Sequence, residues 1–203
     1  MVLPIKSVGM SWLSDADLRA VLDNATQETR ARYVAENFGR VCPHLHLPHF
    51  DGVFAADTLP AHRPGYRMLI VNSDPQHKDG QHWMAYFQTP EKAEFFDSMG
   101  HPIHTYPSIH AWLRETPLRP VFTNNYRLQG PNGLCGAYCY FYLSRRIHSP
   151  SREAVFFESC PPFTFLDSGD DQLMTEEDLR SYLTMNDLRV FHYLRDNLSL
   201  LTQ

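Results

Sequence analysis

The feature that most constrains this chain is a short loop of turn-forming residues that leads directly into an apolar segment. Residues 128–139 read LQGPNGLCGAYC. Two glycines and a proline before the cysteine favour a sharp turn, and the apolar run after it predicts a helix buried on every side. Cys135 would then stand in the first turn of this helix, where free N–H groups and the helix dipole favour a negatively charged thiolate. The stretch therefore predicts a reactive cysteine at the start of a buried helix.

Cys135 alone does not establish catalysis, because cysteine is among the most buried residue types in folded proteins. Cys139, one turn further into the helix, is interpreted as a structural core residue. Cys135 differs from it in the turn that precedes it and in its place at the helix start. A nucleophilic thiol also needs an imidazole base, and the base needs an acceptor that orients it.

Two predicted strands supply such a pair. Residues 81–87 and 93–97 are apolar, and the five residues between them predict an antiparallel hairpin. His82 opens the first strand and Asp97 ends the second, so the hairpin would bring both to one edge of the sheet. Gln129, just upstream of the cysteine, carries an amide that could donate to an oxyanion. The candidate catalytic residues are therefore His82, Asp97, Gln129 and Cys135.

The rest of the pattern predicts a single α+β domain over residues 1–203. Further strands are expected at 66–72 and 120–126, and the catalytic core at about 50–148. Helices are expected near 14–22, 26–38 and 108–114, and an irregular segment at 149–169. C-terminal helices are predicted at about 175–197, one starting at Thr175 and a second at Asn186 and Asp187, which look like N-cap residues.

The composition is that of a globular protein, with 43% hydrophobic and 20% charged residues. A formal net charge of −5 and a pI near 6.1 predict at most weak binding to nucleic acid. Four cysteines without a CxxC pair favour reduced thiols and an intracellular location. No apolar run reaches the ~20 residues that span a bilayer, and the N-terminus does not resemble a signal peptide, so no membrane association is expected.

One histidine-rich segment has side chains that could bind zinc. They are Cys42, His44, His46 and His49. Two prolines interrupt the segment and no second ligand pair follows, which favours a histidine-rich loop over a zinc site. We therefore predict no metal.

Three segments resemble the motifs of the adenain family of viral cysteine proteases. They are GQHWMA at 80–85, EFFDS at 94–98 and LQGPNGLCG at 128–136. This family shares a clan with the proteases of SUMO and other ubiquitin-like proteins. The resemblance implies a papain-like or adenain-like fold, with a central mixed β-sheet, helices on both sides, and the nucleophile at the N-terminus of a buried helix.

The resemblance also implies a role for each candidate residue. Cys135 would be the nucleophile, His82 the base, and Asp97 the group that orients His82. Gln129 and the Cys135 N–H would form the oxyanion hole. Trp83 and Gly130 would contact the substrate, with Trp83 walling a narrow channel.

The implied activity is cysteine endopeptidase cleavage at Gly-containing sites of viral precursor proteins during virion maturation. It would take place in the host nucleus or cytoplasm and in the virion. Two alternatives remain open: an isopeptidase that acts on ubiquitin-like modifiers through the same site, and an acetyltransferase of the same clan. The adenovirus enzyme is activated by a peptide tethered to a cysteine, and no cysteine lies between Asp97 and Gln129. No cofactor is therefore predicted, although an activating peptide remains a possible partner beside the protein substrates.

Overall fold

The computed structural model describes residues 26, 47–78, 80–119, 121–124, 126–131, 133–148 and 176–197. The predicted helices near 14–22 and 26–38 lie outside these residues, apart from Thr26. The irregular segment at 149–169 and most of the histidine-rich segment also lie outside them. Among the described residues, no helix is long and apolar enough to cross a membrane.

A five-stranded mixed sheet forms the centre of the described structure. Its strands follow the order of the chain: β1 (Phe50–Phe54), β2 (Arg67–Asn72), β3 (Trp83–Gln88), β4 (Ala93–Phe96) and β5 (Val121–Thr123). The two outer pairs, β1 with β2 and β4 with β5, are parallel, and the two inner pairs are antiparallel. The mixed sheet of the predicted α+β fold is thus confirmed, while β1 is a strand that the sequence pattern did not predict.

The predicted hairpin is confirmed as the pair β3 and β4. Ala85 lies opposite Phe96, and Gln88 lies opposite Ala93 next to the turn. The turn is closed by a hydrogen bond from the Thr89 N–H to the Lys92 carbonyl at 2.9 Å. The open end of the hairpin therefore brings the residue before β3 and the residue after β4 to the same edge of the sheet.

Helices cover both faces of the sheet, as the alternation of side chains along its strands requires. The helix α1 (Pro107–Glu115) packs on one face, and α2 (Cys135–His148) and α3 (Glu176–Asp196) pack on the other. In β2, neighbouring residues enter opposite cores: Met68 and Ile70 face α2, whereas Leu69 and Val71 face α1. All six β2 residues are buried, which explains why this strand reads as a continuous apolar run.

The helix α2 begins at Cys135, and every residue from 135 to 140 is buried. Phe141, partly buried, packs against the same core. The expectation of a helix buried on all sides is therefore confirmed over its first turns. Its strongly apolar surroundings come from the sheet on one side and α3 on the other.

The prediction of two C-terminal helices is wrong, because α3 is one continuous helix of 21 residues. Asn186 and Asp187 lie in its middle and are buried, at 2% and 7% exposure. Their side chains form hydrogen bonds to the loop before α2. The polar pair that resembles a helix start is instead a buried anchor inside a longer helix.

Candidate active site

His82 and Asp97 meet at the open end of the hairpin. The His82 Nε2 lies 2.6 Å from Asp97 Oδ1, in a hydrogen bond between groups fifteen residues apart. Asp97 is 2% exposed and the His82 side chain 14%. The strand register places the two residues together, as the sequence predicted, because one directly precedes β3 and the other directly follows β4.

Asp97 is held in place by several donors besides His82. The Met99 N–H donates to Oδ1 at 2.8 Å, and the Tyr106 hydroxyl donates to Oδ2 at 3.0 Å. The His101 N–H also reaches Oδ2, at 3.2 Å. The Asp97 backbone is fixed in turn by Asn124, whose side chain accepts from its N–H and donates to its carbonyl. This network leaves the carboxylate little freedom to leave His82.

These contacts also set the charge on Asp97. Burial alone would raise its pKa, but the hydrogen bond from His82, the charge of that residue and the Met99 N–H hold the pKa of Asp97 below its usual value. Burial and the Asp97 charge raise the pKa of Tyr106, so its hydroxyl remains protonated and available as a donor. Asp97 is therefore an anionic acceptor in the folded protein.

His82 interacts electrostatically with both Asp97 and the Cys135 side chain. Burial would lower the pKa of His82, but its side-chain hydrogen bonds to Asp97 and Cys135, with their charges, raise this pKa from 6.5 to about 9. Because Asp97 occupies Nε2, Nδ1 is the ring nitrogen left for Cys135. The imidazole is thus cationic at neutral pH and lies between a carboxylate and the first residue of α2.

Gln129 lies in the segment that passes beside the end of β4. The Leu128 and Gln129 N–H groups both donate to the Ser98 carbonyl, at 2.8 and 3.1 Å. The Ser98 hydroxyl donates to Gln129 Oε1 at 2.8 Å. Asp97 and Ser98 are consecutive residues. Asp97 forms the hydrogen bond to His82, and Ser98 forms the hydrogen bond to Gln129.

The loop between Gln129 and Cys135 is also anchored by α3. The Asp187 carboxylate accepts from the Gly130 N–H, with both oxygens at 3.2 Å, and from the Tyr138 hydroxyl at 2.8 Å. Asn186 donates to the Leu128 carbonyl at 3.2 Å. A helix far downstream in the chain therefore fixes the backbone on both sides of Gln129.

The two residues predicted to contact substrate have different surroundings. Trp83 is the first residue of β3, directly after His82, and its partly buried ring packs against the core on the α2 face. Gly130 is buried, and Asp187 already accepts a hydrogen bond from its N–H. The Gly130 N–H is therefore already engaged by Asp187, and substrate contacts of Trp83 and Gly130 both stay predictions.

One group of side chains has the composition of a metal site. His82, Asp97 and His101 each offer a ligand atom, and these atoms lie within 4.8 Å of one another. The ligand atoms of His82 and Asp97 are only 2.6 Å apart and joined by a hydrogen bond. The other Asp97 oxygen accepts from Tyr106, whose hydroxyl lies 2.8 Å from His101 Nδ1. The group is better described as a hydrogen-bond network around one carboxylate than as an ion-binding cage.

Several residues of the site were not found from the sequence. Ser98 belongs to the EFFDS segment at 94–98, and its position directly after Asp97 is a usable signal. Tyr106 and Asn124 reach Asp97 from nine and 27 residues away, and no spacing rule would have singled them out. The sequence pattern around Asp187 indicates a helix start and gives no sign of its hydrogen bond to the loop before α2.

Comparison with known proteins gives distant structural likenesses only. No family model matches the chain, and no curated protein sequence matches it. The solved structures that are similar in part include an ASFV protease, the central domain of an uncharacterized Legionella pneumophila protein, and the Chlamydia abortus effector ChlaDUB.

The three likenesses differ in extent. The ASFV protease is 23% identical with a TM-score of 0.31, over 60% of this chain and 45% of that chain. The Legionella domain is 12% identical with a TM-score of 0.35, over 77% and 97%. ChlaDUB is 13% identical with a TM-score of 0.34, over 83% and 87%. The chain thus spans less than half the length of the ASFV protease, and any activity has to be argued from the site itself.

Proposed function

We propose that the protein is a thiol endopeptidase in which Cys135 is the nucleophile. The observation that carries the proposal is the position of His82, which is hydrogen-bonded to the Asp97 carboxylate and whose pKa is raised by its interactions with Asp97 and with Cys135 at the start of α2. A cationic imidazole beside a cysteine at a helix N-terminus is the arrangement that activates cysteine nucleophiles in enzymes. The chemistry that such a set supports is acyl transfer, in which an acyl group passes from an amide to the thiol and then to water.

In the first half of the proposed reaction, Cys135 Sγ attacks the scissile carbonyl carbon. The carbonyl oxygen becomes an oxyanion and accepts from the Gln129 side-chain amide and the Cys135 backbone N–H. His82, already protonated, gives its proton to the leaving amine as the C–N bond breaks. A thioester and a free amine result, and the imidazole is left neutral.

In the second half, a water molecule attacks the thioester. His82 takes a proton from this water, the oxyanion forms again at the same donors, and the C–S bond breaks. The acid product leaves and the thiolate and imidazolium are restored. Asp97 stays ionised throughout and keeps Nε2 of His82 as a donor, so that Nδ1 exchanges the proton.

The substrates we propose are proteins cut at Gly-containing sites, with viral precursors as the first class. This assignment comes from the motif resemblance in residues 80–85, 94–98 and 128–136. The same site chemistry serves a linear peptide bond or the isopeptide bond of a ubiquitin-like modifier, so substrate shape separates these two. An electrophilic probe ending in Gly-Gly, compared with a library of Gly-containing peptides, distinguishes them.

The test of the nucleophile compares two cysteines of one helix. Cys135→Ala is expected to abolish peptide cleavage and to leave the folded circular dichroism spectrum unchanged. Cys139→Ala is the matched control, because Cys139 lies one turn further along α2 and is fully buried in the core. It should keep cleavage and lose only modest stability. Cleavage by the Cys135→Ala protein would refute the proposal.

A further inference from the structure

The side-chain amide of Gln129 is held from its oxygen side. Its Oε1 accepts from the Ser98 hydroxyl at 2.8 Å, and both residues are buried, at 4% and 0% exposure. The same serine accepts the Gln129 N–H at its carbonyl. Within the part of the chain that the structure describes, Gln129 Nε2 has no hydrogen-bond partner, and it is not a fully buried atom.

The Ser98 hydroxyl determines which way the amide faces. A buried hydroxyl proton needs an acceptor, and Gln129 Oε1 is the acceptor shown for it. If the amide were turned over, its NH₂ would face Ser98 and its oxygen would face outward. The Ser98 proton would then be left without this acceptor in the core, which is unfavourable. Ser98 thus favours the orientation that presents Nε2.

We propose that Ser98 is a positioning residue that orients the Gln129 amide so that its N–H group faces the oxyanion. The inference rests on the proposed function for its catalytic meaning. The two residues after β4 would then each orient one group of the site: Asp97 orients His82, and Ser98 orients Gln129. Ser98 itself touches neither substrate nor the reacting atoms.

The kinetic test uses Ser98→Ala alone and together with Gln129→Ala. Loss of one oxyanion donor typically lowers turnover by ~10²–10³, which is expected for Gln129→Ala. Ser98→Ala should lower kcat at least tenfold with little change in KM, because a misoriented amide fails only when the oxyanion forms. The double variant should turn over no more slowly than Gln129→Ala. Independent, multiplying losses would overturn the inference.

A second readout separates positioning from general damage. Alkylation of Cys135 by iodoacetamide forms no oxyanion, so its rate in Ser98→Ala should equal that of the wild type. A merely structural defect would slow both alkylation and cleavage. Ser98→Cys keeps a weak S–H donor in a similar volume and should show an intermediate kcat. Ser73→Ala, directly after β2, is the control serine, because Ser73 Oγ donates to the neighbouring Asp74 and not to Gln129.

A third readout does not depend on any activity. ¹⁵N relaxation of the Gln129 side-chain NH₂ should show a rigid amide in the wild type and a mobile one in Ser98→Ala. If the wild type cleaves no substrate but this difference is present, the proposed function fails and the positioning inference stands. If the amide is equally rigid in both proteins, the positioning inference is overturned whatever the enzyme does.

Discussion

Replacing Asp97 by asparagine tests whether this carboxylate keeps His82 protonated. Burial lowers the pKa of His82, and the hydrogen bond to Asp97 is the largest of the influences that raise it. An opposite charge at such a distance changes a pKa by roughly 1–3 units. In Asp97→Asn we therefore expect the pKa of His82 to fall from about 9 to roughly 8 or below.

The raised pKa of His82 also contributes to the stability of the folded protein. The folded pKa of about 9 lies above the ordinary value of 6.5, and each pKa unit corresponds to about 1.36 kcal/mol. Protonated His82 thus contributes about 3 kcal/mol to the free energy of unfolding. Because the folded pKa is the raised one, this contribution is complete below pH 6.5 and is lost as the pH rises through about 9. The variant should lose less of its stability across the same interval.

An asparagine amide in place of the Asp97 carboxylate would also mismatch its surroundings whichever way it faces. Asp97 accepts from His82 and Met99 at one oxygen and from Tyr106 and His101 at the other. An NH₂ group at either place meets donors, which costs about 1–3 kcal/mol. Facing His82, it would also require the wrong imidazole tautomer. We expect kcat to fall by up to ~10⁴ through this effect.

The assay is an NMR titration of the His82 ring, assigned by its absence from His82→Gln. Asp51→Asn is the matched control, because Asp51 is a carboxylate of the same sheet that pairs with Arg63 and Arg67. Arg67 lies at the end of β2 opposite the His82 edge. Asp51→Asn should leave the pKa of His82 at about 9. If His82 in Asp97→Asn titrates where it does in the wild type, the reasoning is refuted.

Two further predictions concern the loop that carries Gln129. Gly100 has a φ of +67°, and a Cβ there would lie 2.3 Å from the Tyr126 backbone, so Gly100→Ala should destabilise the protein by more than the ~1–2 kcal/mol of left-handed strain. Urea unfolding measures this, and an unchanged midpoint would contradict it. Asp187→Asn removes the negative charge and places an NH₂ donor against the Gly130 N–H, where Oδ2 now accepts, and should cost about 1–3 kcal/mol. Urea unfolding measures this loss as well. We also expect kcat to fall, and a wild-type kcat would contradict the prediction.

The local sequence pattern was enough to place the candidate pair His82 and Asp97 together, but not to find the residues that hold this pair. His82 and Asp97 belong to one hairpin with a short turn, so their proximity follows from strand register alone. The start of α2 at Cys135 likewise follows from a turn and an apolar run in neighbouring residues. The β1 strand was missed because it pairs in parallel with β2, has an irregular register near Gly52, and depends on a non-local partner.

The error at Asn186 and Asp187 has a specific physical cause. Asn and Asp at a helix start accept hydrogen bonds from free N–H groups, and at this place they bond instead to a loop 57 and 58 residues away. An Asn or Asp in the sequence indicates only that its side chain needs a hydrogen-bond partner. Which partner satisfies it depends on the packing of α3 against α2, which the sequence around the pair does not contain.

The support of the site from β4 has a consequence for how the fold and the chemistry are coupled. Asp97 and Ser98 are consecutive and directly follow β4, so the pairing of β4 with β3 sets the position of both. A slip of one residue in the pairing of β3 with β4 would therefore remove Asp97 from His82 and Ser98 from Gln129 together. It would also exchange the faces on which β4 places its side chains, although Phe95 and Phe96 each belong to a different core. The core that fixes this register thereby also fixes the orientation of both the His82 imidazole and the Gln129 side-chain amide.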